Sequence, residues 1–275
     1  MMETNVLLLL EGLTFSYDES PLFDNLDLDF LEGSLVLLRG KNGAGKTTLC
    51  DILTGVLKAD SRRCLWRDEE INQEDLRLLV AYASQEPEFF PALSGMENLR
   101  LLQLLSNETP SYLEKAVAFT QDWGLGGGDL ERKQVGNYSG GMRQKLWIAA
   151  HLATSREFVI LDEPFTHLDD ETAGQIARML HIDPRTRLLV SHQIPEGIEF
   201  SDVIDLIGEE EICQGPGIWR IRFRVDTRHH DPPDRRFRMV DCRRRGFHLR
   251  LGWVFPQADW RPERKPRKRR RLIRA

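Results

Sequence analysis

Two stretches of this 275-residue sequence have residue types and spacings suited to phosphate chemistry. Gly40-Lys41-Asn42-Gly43-Ala44-Gly45-Lys46-Thr47 fits the pattern G-x-x-x-x-G-K-[ST] without deviation, and Thr48 continues it into the segment beyond. Glycines at such positions let backbone N–H groups wrap a chain of phosphates, and a helix starting there adds a favourable dipole. Lys46 is placed to reach β- and γ-phosphates, and the Thr47 hydroxyl to coordinate Mg2+. The second stretch, Phe158-Val159-Ile160-Leu161-Asp162-Glu163, ends an apolar run in two adjacent carboxylates. At a strand end, Asp162 can hold Mg2+ through water and Glu163 can polarise an attacking water. A strand ending in two solvated acids is common; about 115 residues after a phosphate loop it is a strong signal.

These groups need elements to position them. Leu35–Leu38 reads as a short strand running into the glycine loop. Beyond it Leu49, Ile52, Leu53 and Val56 fall at i, i+3, i+4 and i+7, the stripe of a helix packed on a sheet. Residues 87–155 are mostly helical in pattern. Ser94 and Glu97 form a capping box, Thr109-Pro110 supplies an N-cap and a first-turn proline, and Gly124–Gly128 reads as a flexible break. A helix is predicted from about Gly141 to Ala153, burying Leu146, Ala149, Ala150 and Ala153. Phe158–Leu161 then reads as a central parallel strand, and Ala173, Ile176, Ala177 and Leu180 as a helix. The strands Leu188–Val190 and Val203–Ile207 follow. The alternation predicts an α/β fold with a parallel sheet, interrupted by a helical insertion.

Between the two phosphate-handling stretches lies Asn137-Tyr138-Ser139-Gly140-Gly141-Met142-Arg143-Gln144. It resembles the signature motif of ATP-binding-cassette (ABC) ATPases, in the order and place that family has it. The physical reading agrees, because Ser139 is an N-cap type and Gly140-Gly141 expose N–H groups at a helix start. Tyr17 resembles the family's adenine-stacking aromatic, and Gln85 the glutamine that touches Mg2+ and water. Asp169, in His167-Leu168-Asp169, resembles the loop carboxylate that helps build a partner's site, and His192 the histidine that contacts the γ-phosphate. Two residues depart from the commonest signature: Tyr138 stands for Leu and Met142 for Gln. That variant is similar to signatures of bacterial exporter-type cassettes. The resemblance covers residues 1–217.

The resemblance implies a P-loop core (about 1–86 and 155–217) with an N-terminal antiparallel β subdomain and a helical subdomain at about 87–154. It implies ATP and Mg2+ as ligands, bound by Tyr17, Gly40 to Thr48 and Gln85, with the metal on Thr47, Gln85 and Asp162. Glu163 and His192 are the implied catalytic residues. A head-to-tail pair of ATPase subunits, homodimeric in the simplest case, would sandwich two ATP molecules, with Ser139, Gly140 and Gly141 acting in trans. A separate transmembrane permease subunit would form the pathway, placing the chain peripherally on the cytoplasmic face of the inner or plasma membrane and powering transport, most naturally export. The alternative is a soluble ABC ATPase acting on nucleic acid or ribosomes. Against it, one P-loop is present and no long coiled coil.

Composition frames these expectations. No apolar run approaches the ~18–20 residues of a membrane span, and 41% apolar residues suffice for a sizeable core. Four scattered cysteines without a CxxC pair argue against a disulfide framework or zinc site and for a reducing, intracellular compartment. The net charge of -5 divides into -19 over residues 1–217 and +14 over residues 218–275, whose 58 residues include 18 arginines. Within this tail, Trp219, Ile221, Phe223 and Val225 alternate with polar residues, and Phe247, Leu249, Leu251, Trp253 and Phe255 offer a second period-2 pattern. Two such strands are marginal unless they pack on the body. Arg261–Arg274 is a charge run expected to be disordered. Three readings of the tail stand: contact with anionic lipid, contact with nucleic acid, or no evolved role, as from a shifted reading frame. The phosphate-loop reading is directly testable: Lys46→Ala should weaken nucleotide binding on the order of ten- to a hundredfold, the scale of a charge-assisted hydrogen bond. An unchanged titration would contradict it.

Overall fold

The computed structural model describes residues 5–19, 21–207 and 220–223. The chain runs β1 (Val6–Ser16), β2 (Pro21–Leu31), β3 (Leu35–Gly40), α1 (Lys46–Leu53), β4 (Arg63–Trp66), β5 (Glu69–Glu70), α2 (Leu76–Leu79) and β6 (Val80–Ala83). Four helices follow: α3 (Gly95–Leu105), α4 (Ser111–Asp122), α5 (Gly127–Glu131) and α6 (Gly140–Leu152). It closes with β7 (Phe158–Asp162), α7 (Asp170–Ile182), β8 (Thr186–Val190), β9 (Asp202–Ile207) and β10 (Arg220–Phe223).

One sheet has the order β2-β1-β4-β5 and is antiparallel; the other has the order β10-β9-β3-β8-β7-β6. In the second sheet every pairing is parallel except β9 with β10. β10 belongs to the basic tail, so the first of its two strand patterns lies on the body's sheet through Arg220–Phe223. The second pattern and Arg261–Arg274 lie outside the described residues.

Every residue of β7 and of β8 is buried. Alternation sorts them onto two faces, as a pleated strand must. Phe158 and Ile160 join a core with Val36, Leu38, Leu188 and Val190, the α1 residues Leu49, Ile52 and Leu53, and the inner face of the antiparallel sheet. The Phe30 and Phe158 rings lie 4.9 Å apart across that core. Val159 and Leu161 face the opposite way, into a second core with Leu37, Leu189, α6 and α7. A third core, built on Leu99, Tyr112, Ala116, Leu130 and Tyr138, unites the inserted helices. α6 serves two of these cores: Leu146 and Ala150 point into the third, Trp147, Ile148 and Leu152 into the second.

Three local expectations are corrected. Val56 is 60% exposed and off the α1 stripe, because the helix ends at Leu53 and Gly55 turns the chain at φ 70°. Pro110 has helical angles but immediately precedes α4, and the Thr109 hydroxyl bonds the Ser111 hydroxyl at 2.8 Å instead of capping a backbone N–H. Gly124–Gly128 is not a flexible break: Leu125 within it is buried and α5 already begins at Gly127. The Ser94–Glu97 capping box is present, with both reciprocal bonds formed.

At the end of α6, half-buried His151 sits 2.8 Å from the Trp147 carbonyl through Nδ1, which as the neighbour of an acceptor must donate. Burial pushes its pKa down from 6.5 to about 4. The folded chain therefore stays neutral there while the unfolded chain takes up a proton, so this contribution to stability is lost as pH falls from about 6.5 to 4. Asp162 and Asp202, pushed up to about 6 by burial, act in the opposite sense. The histidine is thus read best as a difference. Between pH 7 and pH 4.5 the stability advantage of wild type over His151→Gln should shrink on the order of 2 kcal/mol in urea denaturation. A pH-independent difference would refute the assignment.

Candidate nucleotide-binding site

The glycine loop follows β3 directly, where the buried run Leu35–Leu38 ends at Gly40. Gly45 has φ 91°, and a β-carbon there would crowd Leu22 and Phe23 at 3.1 Å, so no other residue enters α1 this way without strain. Gly43 has nothing within 4 Å of the corresponding point, leaving the outer side of the loop open. Lys46 folds back across the loop, its Nζ donating to the carbonyls of Gly40 at 2.8 Å and Lys41 at 3.2 Å. Thr47 is exposed at the start of α1; Thr48 is buried and shares a 3.0 Å hydrogen bond with the Tyr17 hydroxyl. Tyr17 is 64% exposed, its ring edge-on to Phe15, so its outer side is free for a flat ligand.

Asp162 closes β7, 5% exposed. Burial pushes its carboxyl up to about 6 and the neighbouring Glu163 adds to the rise, while the Tyr82 hydroxyl, donating at 3.3 Å, and the Lys46 charge offset part of it. Glu163 has φ 46°, in the left-handed region, and its N–H donates to the Val190 carbonyl at 2.7 Å. Its carboxylate accepts from the Ser191 hydroxyl at 3.2 Å and from the His192 N–H at 3.1 and 3.3 Å; the His192 Nε2 lies 3.7 Å from Oε1. Gln85 is exposed just past β6, on a loop held by the Trp147 indole, which donates to the Ser84 carbonyl at 3.0 Å.

The glycine loop, Glu163, His192 and Gln85 thus follow the carboxyl ends of β3, β7, β8 and β6, neighbours in the order β3-β8-β7-β6, and Asp162 is the last residue of β7. That edge is where open parallel sheets bind ligands. Ser139, Gly140 and Gly141 stand apart from the strand ends. Ser139 caps α6, accepting from the Met142 N–H at 3.2 Å, and the two glycines pack on His167. A β-carbon on Gly141 would lie 2.8 Å from the His167 carbonyl oxygen. Asp169 caps α7, and its hydrogen bonds from Thr172, aided by Lys145 at 3.3 Å, hold its carboxyl down at about 2.

The structure also accounts for the two departures in the signature. Tyr138 is buried in the third core and its hydroxyl donates to the Asp129 carbonyl at 2.6 Å, tying the loop to α5, which a leucine could not do. Met142 packs on the same core. Sequence reading missed Tyr82, Gln144, Trp147 and Ser191, each of which braces a site residue. Gln144 carries no signal of its own in the sequence, flanked as it is by Arg143 and Lys145.

The sequence profile of the family described as "ABC transporter" matches residues 23–166, more than half of the chain and the whole span from glycine loop to acid pair. The chain belongs to the ABC transporter family. It is one of the family's ATP-binding subunits by its relatives. It is 31% identical to the high-affinity zinc uptake system ATP-binding protein ZnuC of Bacillus subtilis, over 72% of this chain and 89% of that protein. It is 28% identical to the lantibiotic transport ATP-binding protein SrtF of Streptococcus pyogenes, over 75% and 89%. The daunorubicin/doxorubicin resistance ATP-binding protein DrrA of Streptomyces peucetius is 31% identical over 77% and 69%. Among solved structures, a dimeric bacterial ABC transporter cassette superposes with TM-score 0.61 at 20% identity, covering 73% of this chain and 94% of that one. An ABC transporter ATP-binding subunit does so with TM-score 0.64 at 22% identity, covering 72% and 85%. These structures establish that this ABC subunit has the cassette fold.

The glycine contacts give a paired prediction. Gly141→Ala drives a β-carbon into backbone and should cost about 1–3 kcal/mol. Gly128→Ala, in a helix with open space around it, should gain about 0.4–1 kcal/mol. Thermal melts of the two variants check this; equal shifts would contradict it.

Proposed function

We propose that this ABC subunit binds ATP with Mg2+ at the carboxyl edge of its parallel sheet, hydrolyses it, and so powers a transporter. The observation that carries the reading is the grip on Glu163: its carboxylate is held by Ser191 and His192 from the end of β8, beside Asp162 and within the sheet edge that bears the glycine loop. A carboxylate so placed can take a proton from an attacking water while His192 orients the far phosphate. Gly40 to Thr48 form the phosphate cradle, with Lys46 swinging from its own loop carbonyls to the triphosphate, and Tyr17 supplies the stacking platform for adenine.

The donors fit Mg2+. Thr47 gives a hydroxyl, Asp162 a carboxylate and Gln85 an amide oxygen, the hard oxygen ligands this ion takes alongside phosphate. When bound, Mg2+ neutralises charge on the phosphates, and it favours the ionised form of Asp162 against the burial that opposes it.

Ser139, Gly140 and Gly141 are exposed or half-buried at the start of α6, and with Asp169 they serve the nucleotide of a second copy in a head-to-tail pair. A separate transmembrane subunit forms the pathway and this chain docks on its cytoplasmic side; among the described residues no helix is long and apolar enough to cross a membrane. The relatives' names include uptake and import as well as antibiotic transport and resistance. The Tyr138-to-Met142 signature favours export. Glu163→Gln should bind ATP and pair with near wild-type affinity yet hydrolyse it about 10²–10⁴-fold more slowly. Turnover near wild type would overturn the assignment of the base.

A further inference from the structure

Glu163 occupies a backbone region that a glutamate rarely adopts, and such a conformation persists only where its surroundings hold it. Two of its restraints come from β8: Val190 accepts from its N–H, and Ser191 and His192 donate to its carboxylate. Within the turn the Thr166 N–H donates to the Glu163 carbonyl at 3.2 Å, and a further restraint comes from α6. Gln144, 2% exposed, points its side chain at the turn after β7, where Nε2 donates to the Pro164 carbonyl at 3.1 Å and the Glu163 carbonyl at 3.4 Å. Both partners are acceptors, so only the amide nitrogen can face them.

The rest of α6 is anchored equally firmly. One residue on, Lys145 reaches Asp169; three residues on, Trp147 holds the loop before Gln85; at the start, Gly140 and Gly141 lie against His167. Side chains of this single 13-residue helix thus touch the turn of Glu163, the loop of Gln85 and the segment of Asp169. Gln144 is the one that reaches the Glu163 backbone.

We propose that Gln144 is a positioning residue for Glu163, its amide fixing the 163–164 carbonyls to α6 so that the placement of the helix start at Ser139–Gly141 is carried along rigid helix to the base. This rests on the reading of Glu163 as the base. With the amide gone, the Pro164 carbonyl loses this donor, the Glu163 carbonyl keeps only the Thr166 N–H at 3.2 Å, and the strained residue is left with that local bond and its β8 restraints. The carboxylate then samples orientations that do not face the water. Nucleotide binding, which depends on a loop after a different strand, is untouched.

A double-mutant cycle in the full chain tests the inference, using Gln144→Met (similar length, no donor) and Gln144→Glu (same shape, acceptors facing acceptors), each alone and with Glu163→Gln. ATP affinity and single-turnover hydrolysis are measured for all. In the wild-type background, kcat should fall on the order of tenfold for Gln144→Met and further for Gln144→Glu, with KM for ATP unchanged. In the Glu163→Gln background the further loss should vanish, because the group being positioned is already gone. An equal loss in both backgrounds, an unchanged kcat in the wild-type background, or loss of ATP binding by both Gln144 variants would make Gln144 ordinary structural support and overturn the proposal. Wild-type turnover by Glu163→Gln alone would instead overturn the reading of the base, whatever the Gln144 variants do.

Discussion

Strands β3, β8 and β7 carry apolar side chains on both faces, so water has to be kept from both sides of one sheet at once. The antiparallel sheet and α1 cover one face, α6 and α7 the other. Parallel strands buried this way all end on the same edge, where the loops that follow them leave the covered faces and can meet a ligand. The glycine loop, Glu163 and His192 leave that edge from neighbouring strands because the burial constraint allows them nowhere else, and Asp162 is the last strand residue before it. Their chemistry is a by-product of a packing solution.

The same burial sets the electrostatics. Asp162 lies where a carboxylate is costly to ionise, and the protein only partly offsets this with the Tyr82 hydroxyl and the Lys46 charge. Lys46 meanwhile rests on backbone carbonyls of its own loop, neutral partners that a phosphate would displace more readily than it would a carboxylate. The acidity of residues 1–217 is therefore no obstacle to an anionic ligand, since the groups that would meet it are local N–H donors and one lysine.

Much of this was legible from the order of residues alone. The glycine loop before α1, the strand ending in Asp162 and the Ser139 cap are local features, decided by neighbours within a few residues, and all three have the local structure read for them. What escaped reading was the bracing: Tyr82 to Asp162, Gln144 to Pro164, Trp147 to Ser84 and Ser191 to Glu163 join residues 20 to 80 positions apart, where no periodicity points. The errors had local causes of another kind. Val56 matched the helical spacing, but Gly55 had already ended the helix. The glycines after Trp123 looked like slack chain, but Leu125 among them is pulled into a core. At the tail, alternation around Ile221 correctly marked a strand, and only the fold could show that β9 was its neighbour.

α6 is buried on nearly every side, shared between the core of the inserted helices and the core behind the sheet. A helix so enclosed has almost no silent positions. Substitutions that suit one core disturb the other, and its polar residues are committed as well, Gln144 to the Pro164 carbonyl and Lys145 to the Asp169 carboxylate. Positions such as Leu104 and Leu105, at the exposed end of α3, carry no such double constraint. Substitutions on the outer faces of the inserted helices should therefore cost this fold little, while the helix that begins at Gly140 has little room to change.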